Sequence, residues 1–298
     1  MANYIFYPCS CEELVRYACE IILGKDLPEV STEELLNKCG NVVFADTTIK
    51  LQENGYFGHK VIPQEKIADA EFDKVFILSP LHLELMYNNL TQKYNVPESK
   101  IERGSMDYIN RAREKFVFNV AQMQRKKGIS GDVAEGGVFR GDFSKIINAA
   151  YPESKLYLFD TFEGFDERDY ENDIKVRKVL ELSGKQKYDH YANTSVELVL
   201  GKLPFPENAE VRKGYFPETA EGVDGEFVLV NLDFDLYAPI KAGLEFFYPK
   251  MKKGGVIMVH DYYNHNFDAD RAVDEFCNEH GLVPISIGDL LSIAIVVQ

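Results

Sequence analysis

Three groups of residues have types and spacings that can do chemistry. The first is the turn Val133-Ala134-Glu135-Gly136-Gly137-Val138-Phe139-Arg140-Gly141-Asp142-Phe143-Ser144. It follows an apolar run and opens a helical one, so it falls at the carboxyl edge of a sheet, where open α/β folds bind ligands. The spacing is not G-x-G-x-x-G. Glu135 would repel a pyrophosphate and would suit a ligand that carries positive charge. An ordinary glycine-containing turn is the alternative. The second group is Leu158-Phe159-Asp160-Thr161-Phe162-Glu163-Gly164-Phe165. An acid that ends a second strand can accept two hydrogen bonds from a ribose diol, or it can cap a loop. Taken together, the two groups favour a nucleoside ligand. The third group is Asn231-Leu232-Asp233-Phe234-Asp235-Leu236-Tyr237, with His260-Asp261-Tyr262-Tyr263 after the next strand. Asp and His converging from adjacent strand ends can bind a divalent ion or remove a proton from a hydroxyl. Acids that merely cap turns are the alternative. Tyr262, Tyr263 and His265 could form an acceptor wall or a solvated loop. His59, His82, His190 and His280 read as structural or surface residues.

These groups need a frame of alternating strands and helices. A regular alternation of strand and helix signals predicts strands at 132–135, 155–160, 210–213, 226–233 and 255–261. A helix over 269–280 stops at Gly281. Two last runs, 282–287 and 291–297, flank Gly288-Asp289 and predict a hairpin that closes a parallel sheet. Upstream, Tyr4-Ile5-Phe6, Asn41–Asp46 and Lys74–Leu78 read as strands, and 12–23 and 81–94 as helices. A charged, aromatic stretch over 106–127 reads as a linking helix. The expected organisation is a small Rossmann-like α/β domain over 1–105 and a larger α/β domain over 106–298.

The balance of the 298 residues narrows the function. Forty-eight acids against 33 Lys and Arg give a net charge of −15. This disfavours sequence-independent nucleic-acid binding and adhesion to anionic membranes, both of which need cationic surface. No signal sequence or membrane-length apolar run is legible, so a cytoplasmic protein is expected. Five cysteines, Cys9, Cys11, Cys19, Cys39 and Cys277, read as reduced thiols. The spacing of the first four matches no common zinc module.

Four blocks in order carry a resemblance: Glu135-Gly136-Gly137-Val138-Phe139-Arg140-Gly141; Phe159-Asp160-Thr161-Phe162-Glu163-Gly164; Lys213-Gly214-Tyr215-Phe216-Pro217-Glu218-Thr219; and Asp233-Phe234-Asp235-Leu236-Tyr237. The last continues into Tyr248-Pro249-Lys250, Gly254-Gly255 and His260-Asp261-Tyr262. From about residue 106 onward the chain resembles class I S-adenosylmethionine-dependent methyltransferases. More closely, it is similar to the macrocin O-methyltransferase family, which methylates sugar hydroxyls of macrolide and aminocoumarin antibiotics. The resemblance implies a Rossmann-like sheet, mostly parallel with a C-terminal antiparallel hairpin. It implies S-adenosylmethionine held by Glu135, Gly136, Gly137, Phe139, Arg140 and Gly141, with Asp160, Thr161 and Phe162 at the ribose. The Gly214, Tyr215 and Phe216 turn would lie at the adenine, and Asp233 beside the transferred group.

The same resemblance implies magnesium on acids after the fourth and fifth strands. Asp233 and Asp261 match, whereas His260 stands at a usually acidic position. The metal candidates are therefore Asp233, His260 and Asp261, and the catalytic candidates are Asp233 and His260. His260 would either bind a softer metal or replace the metal as base. The first hundred residues are similar to the Rossmann-like unit of bacterial polysaccharide-biosynthesis proteins, on Phe44-Ala45-Asp46, Gly58–Pro63 and Phe76–Ser79. Their first loop, Tyr7-Pro8-Cys9-Ser10, is not glycine-rich, which favours an assembly or substrate-orienting role. The expected activity is O-methylation of a small-molecule sugar or glycoconjugate hydroxyl, in a chain that could form a homo-oligomer. Two rivals stand beside it. One is a glycosyltransferase using Asp233 and Asp235 as a D-x-D metal site, and the other is a non-catalytic cofactor-binding scaffold.

Overall fold

The computed structural model describes residues 2–25, 27–80, 82–170, 173–183, 191–264 and 267–298. The chain divides into two compact units, Met1–Arg111 and Ala112–Gln298. The division falls inside one long helix.

The first unit runs β1 (Asn3–Tyr7), α1 (Glu12–Leu23), α2 (Thr32–Cys39), β2 (Asn41–Asp46), α3 (Ile49–Asn54), β3 (Val61–Pro63), β4 (Lys74–Ile77), α4 (Leu83–Asn88) and β5 (Ile101–Glu102). All five strands are parallel, in the order β3-β2-β1-β4-β5. Buried parallel strands need apolar residues on both faces, and Phe6, Phe44 and Phe76 supply them. Phe6 meets each of the other two edge-on, with ring centroids 5.5 Å apart. Helix α1 ends at Gly24, whose φ of 68° is left-handed. The 81–94 expectation resolves into α4 followed by a wide turn over Asn89–Lys93. Helices α2 and α3 and strands β3 and β5 were not expected.

Helix α5 (Gly104–Lys127) carries the chain past the division. The second unit continues with β6 (Asp132–Gly136), α6 (Asp142–Ala150), β7 (Leu156–Asp160), α7 (Glu167–Tyr170), α8 (Ile174–Ser183), α9 (Val196–Leu200), β8 (Ala209–Lys213), β9 (Phe227–Leu232), α10 (Tyr237–Phe247), β10 (Met251–Val259), α11 (Ala269–His280), β11 (Ile285–Ser286) and β12 (Ile293–Val296). The strand order is β11-β12-β10-β9-β6-β7-β8. Strands β6 to β10 pair parallel, and β12 runs antiparallel to β10 and β11. The mostly parallel sheet with a closing hairpin is therefore present. The hairpin strands are shorter than expected because Asp289 takes the chain out of the ladder. Its carboxylate accepts from the Ser292 N–H at 2.7 Å and the Leu291 N–H at 3.2 Å.

The strand order reverses between β6 and β9. Chain that follows β6 goes to β7 and β8 on one side, then crosses to β9 and β10 on the other. Such a switch point leaves a crevice at the carboxyl ends of the strands. The loops after β6, β7, β9 and β10 all end at that edge, and they hold the three groups of candidate residues.

Candidate active site

The loop after β6 depends on missing side chains. A Cβ on Gly136 would lie 2.2 Å from Phe234 Cζ, and one on Gly137 would lie 2.0 Å from the Asp233 carbonyl oxygen. Gly137 also has a φ of 77°. The two glycines thus let the β9 loop close against the β6 loop, and they bring Asp233 to the crevice. Glu135, expected to face a cationic ligand, is 1% exposed. Ser144 donates to one of its oxygens, and Asn231 Nδ2 donates to the other at 3.1 Å. Burial pushes this carboxyl up to about 8, against the hydrogen bond from Ser144. Its place is inside the frame that joins β6, α6 and β9.

Asp160 ends β7 and turns toward the same loop. Its Oδ2 accepts the Val138 and Phe139 N–H groups at 2.7 and 2.8 Å, and its Oδ1 accepts the Phe162 N–H at 2.6 Å. A carboxylate has about four lone-pair sites, so one is left for a ribose hydroxyl. Burial raises its pKa, and the three backbone donors oppose that. The first unit repeats this joint. Asp46 ends β2, and it accepts from the Cys9 N–H at 3.0 Å and the Thr48 N–H at 2.9 Å.

The third group condenses around Asp233. Arg113, on α5, donates from Nη2 to Asp233 Oδ2 at 2.8 Å and to Asn231 Oδ1 at 2.9 Å. Its guanidinium stacks 3.9 Å from the Phe143 ring centroid. Asp233 Oδ1 lies 3.0 Å from His260 Nδ1. The same nitrogen is 2.7 Å from Asp261 Oδ2, and Asn264 Nδ2 donates to Asp261 Oδ1 at 2.7 Å. One polar chain therefore runs Ser144, Glu135, Asn231, Arg113, Asp233, His260, Asp261, Asn264. Arg113 was not a candidate from the sequence.

The charges in this chain set one another. Burial would raise the Asp233 and Asp261 carboxyls, but Arg113 and His260 hold Asp233 low and His260 holds Asp261 low. Burial opposes charge on His260, and the carboxylates of Asp233 and Asp261 outweigh it, raising the imidazole to about 10. Asp235 faces Asp261; burial and that neighbouring charge push its carboxyl well up. Asp235 and Asp261 both hold left-handed backbones, with φ of 62° and 59°. Such strain in non-glycine residues costs about 1–3 kcal/mol each and concentrates at functional sites.

The remaining candidates divide. At the Gly214 turn, the Gly214 N–H donates to the Asp160 carbonyl at 2.9 Å. Arg168 stacks 3.6 Å from the Tyr215 ring centroid, and the Tyr215 hydroxyl donates to Asp169 at 3.1 Å. Phe216 lies in the core, stacked on Phe247, and Phe162 is buried in the cluster on the other face. Both support the site from beneath. Phe139 packs edge-on against Tyr191. Arg140 Nη1 donates to the Asn193 carbonyl at 3.0 Å, and Thr161 Oγ1 donates to the Gly164 carbonyl at 2.5 Å. Gly141, with a φ of 74°, caps the start of α6. Tyr262 donates to Asp274 at 2.7 Å and packs edge-on with Tyr263. His265 and His190 lie outside the described residues.

Asp233, His260 and Asp261 each present a ligand atom within 4.8 Å of the others, and no cysteine joins such a group among the described residues. The donor set does not fit a divalent ion. His260 Nδ1 sits between two carboxylate oxygens, a position that requires a proton on that nitrogen, and Arg113 faces the second oxygen of Asp233. A nucleoside-bearing ligand fits better. Asp160 keeps an acceptor site, and Thr219 Oγ1 at the Gly214 turn is buried without a partner among the described residues.

Comparison with known proteins agrees with this geometry. The family model of the TylF macrocin-O-methyltransferases matches residues 91–293. The chain belongs to that family. A curated relative, the 8-demethyl-8-(2,3-dimethoxy-alpha-L-rhamnosyl)-tetracenomycin-C 4'-O-methyltransferase of Streptomyces olivaceus, is 28% identical over 173 residues. That match covers 53% of this chain and 63% of the relative, so the chain spans under two thirds of its length. The solved structure of the O-methyltransferase NovP superposes with a TM-score of 0.56 at 19% identity, covering 73% of this chain and 98% of NovP. That likeness supports the fold. No helix among the described residues is long and apolar enough to cross a membrane.

Proposed function

We propose that this chain is a cytoplasmic O-methyltransferase that transfers a methyl group from S-adenosylmethionine to a hydroxyl of a small-molecule sugar. The observation that carries the reading is His260, held at Nδ1 by Asp233 and Asp261 at the switch-point crevice. The named activity of the Streptomyces olivaceus relative, on a rhamnosyl 4'-hydroxyl, supports the substrate class. Family membership disfavours the glycosyltransferase reading of Asp233 and Asp235.

When bound, S-adenosylmethionine supplies an electrophilic methyl on a positively charged sulfur. The backbone of Gly136 to Gly141 would border its amino-acid part, Asp160 its ribose, and the Gly214 turn with Thr219 its adenine. With that group bound, it would supply the methyl to the acceptor oxygen, and His260 Nε2 would take the hydroxyl proton. Nδ1 is committed to the carboxylates, which fix the ring and stabilise the imidazolium. Alignment of the two reactants in the crevice supplies much of the remaining acceleration. The first unit orients the acceptor or mediates assembly; its loop after β1 has no glycines, and Asp46 is bound to that loop.

The test is a calorimetric titration with S-adenosylhomocysteine, followed by labelled methyl transfer to a panel of free, nucleotide-linked and aglycone-linked sugars. One site per chain and transfer to at least one sugar are expected. No binding would sink the cofactor assignment. Tight binding with no transfer across the panel would favour the scaffold reading.

A further inference from the structure

The position that the family resemblance gives to magnesium is, in this chain, flanked by the Arg113 guanidinium and the His260 ring. We infer that Arg113 and the Nδ1–H of His260 take the place of the divalent ion beside Asp233, so that this chain works without a metal and can be made metal-binding by two substitutions. The inference rests on the methyl-transfer reading for its purpose, but its geometry is independent of it.

A divalent ion at Asp233, His260 and Asp261 would need free lone pairs on one nitrogen and two carboxylates. In this arrangement His260 Nδ1 and the facing oxygens of Asp233 and Asp261 are engaged with one another, and the second oxygen of Asp233 is engaged with a cation. His260 Nδ1 is within hydrogen-bond distance of both Asp261 Oδ2, at 2.7 Å, and Asp233 Oδ1, at 3.0 Å. Two acceptors sharing one nitrogen require N–H there, whichever state Nε2 holds. Asp233 Oδ2 accepts from Arg113. That guanidinium is anchored elsewhere, by Asn231 Oδ1 at 2.9 Å and by the Phe143 ring, and Asn231 is anchored in turn by Glu135. An incoming ion would have to expel a cation from a packed site and strip a proton from the imidazole. Oxygen-seeking ions such as magnesium also gain little from an imidazole in place of a carboxylate.

The arrangement also says what the cations do. A metal in this position would stabilise the negative charge that a departing proton leaves on the acceptor oxygen, and it would hold the acceptor. Arg113 does the first from a fixed place and leaves the acceptor to be held by hydrogen bonds alone. The preferred acceptor is then a single hydroxyl facing His260 Nε2. Vicinal diols, which chelate a metal through two oxygens, would have no advantage here.

The experiment uses the full-length chain and manganese chloride, followed by the electron paramagnetic resonance signal of free Mn2+, with neither cofactor nor acceptor present. The wild-type chain should show no stoichiometric Mn2+ site up to about 1 mM, a concentration that fills weak carboxylate sites. One Mn2+ per chain, lost in Asp233→Asn, would overturn the inference. The pair Arg113→Met and His260→Asp should create one such site with an affinity at least about tenfold above wild type. A folded pair variant with unchanged Mn2+ binding would also overturn it. If the pair variant does not fold, the wild-type titration decides. Failure of the methyltransferase reading appears separately, as absent S-adenosylhomocysteine binding.

Discussion

Arg113 Nη2 lies 2.8 Å from Asp233 Oδ2 although 120 positions separate the two residues. The guanidinium is 13% exposed and the carboxylate 20%. Breaking such a pair from one side removes one of the two cations, Arg113 and His260, that hold the Asp233 carboxylate. Arg113→Met should therefore destabilise the second unit, by less than the about 3–5 kcal/mol that a fully orphaned buried charge costs, because His260 remains beside Asp233. Adding Asp233→Asn should return part of that loss. A double-mutant cycle in urea measures it; strictly additive effects would mean the pair is not coupled.

His260 should govern the pH profile. Its pKa is raised to about 10, so the neutral form that accepts a proton grows as pH rises toward that value. Methyl transfer under saturating conditions should climb about tenfold per pH unit from 7 to 9 and level near 10. His260→Gln should lose at least about a hundredfold in kcat and flatten the profile, with S-adenosylhomocysteine affinity kept. A flat wild-type profile over this range would move the proton acceptor to Asp233.

Asp160 makes the loop after β6 depend on a charge. Asp160→Asn replaces one oxygen with a donor that faces backbone N–H groups. At least one of the bonds from Val138, Phe139 or Phe162 must go, at about 1–3 kcal/mol. S-adenosylhomocysteine affinity should fall by about tenfold or more, and amide exchange in 137–141 should speed up. Unchanged exchange would show that the loop holds itself.

Glu135 should leave a mark on stability against pH. Its folded pKa, about 8, lies above the ordinary glutamate value of 4.5. Between these values the unfolded chain releases a proton that the folded chain keeps, so stability falls as pH rises through this window and levels beyond about 8. Glu135→Gln keeps an acceptor for Asn231 and a donor for Ser144 but cannot ionise. Its Tm should be higher than wild type at pH 8 and fall less between pH 5 and 8. Parallel melting curves across pH would assign the proton elsewhere.

Much of the second unit was legible because its signals are periodic and local. The alternation of strand and helix signals located β6 through β10, and the left-handed Gly281 ended α11 where a glycine stop was expected. The first unit was harder. Ser31 followed by Glu34 carries a capping signature, and the Ser31 hydroxyl does accept from the Glu34 N–H at 3.3 Å, yet the helix it starts is only eight residues long. Strands β3 and β5 are too short to show a period.

The site itself was legible by type and not by direction. Asp233, His260 and Asp261 converge as their places after adjacent strands predicted. Glu135 and Asp160 lie at the expected loop, but they face its framework, because a sequence does not say which side of a turn a carboxylate will take. Arg113 stood among Arg111, Lys115 and other charges of α5, and nothing local separates a buried arginine from its solvated neighbours. Its partner is set only by how the helix packs on the sheet.

The joint made by Asp160, and repeated by Asp46, grips main-chain N–H groups. Loops of unrelated composition therefore hang from the same peg: Tyr7-Pro8-Cys9-Ser10 in one unit, and the glycine-rich run after β6 in the other. A loop anchored this way can exchange its residues, and with them its taste in ligands, while its path over the sheet is inherited unchanged. The acid fixes the path, and the loop beside it is where an engineer is free to write.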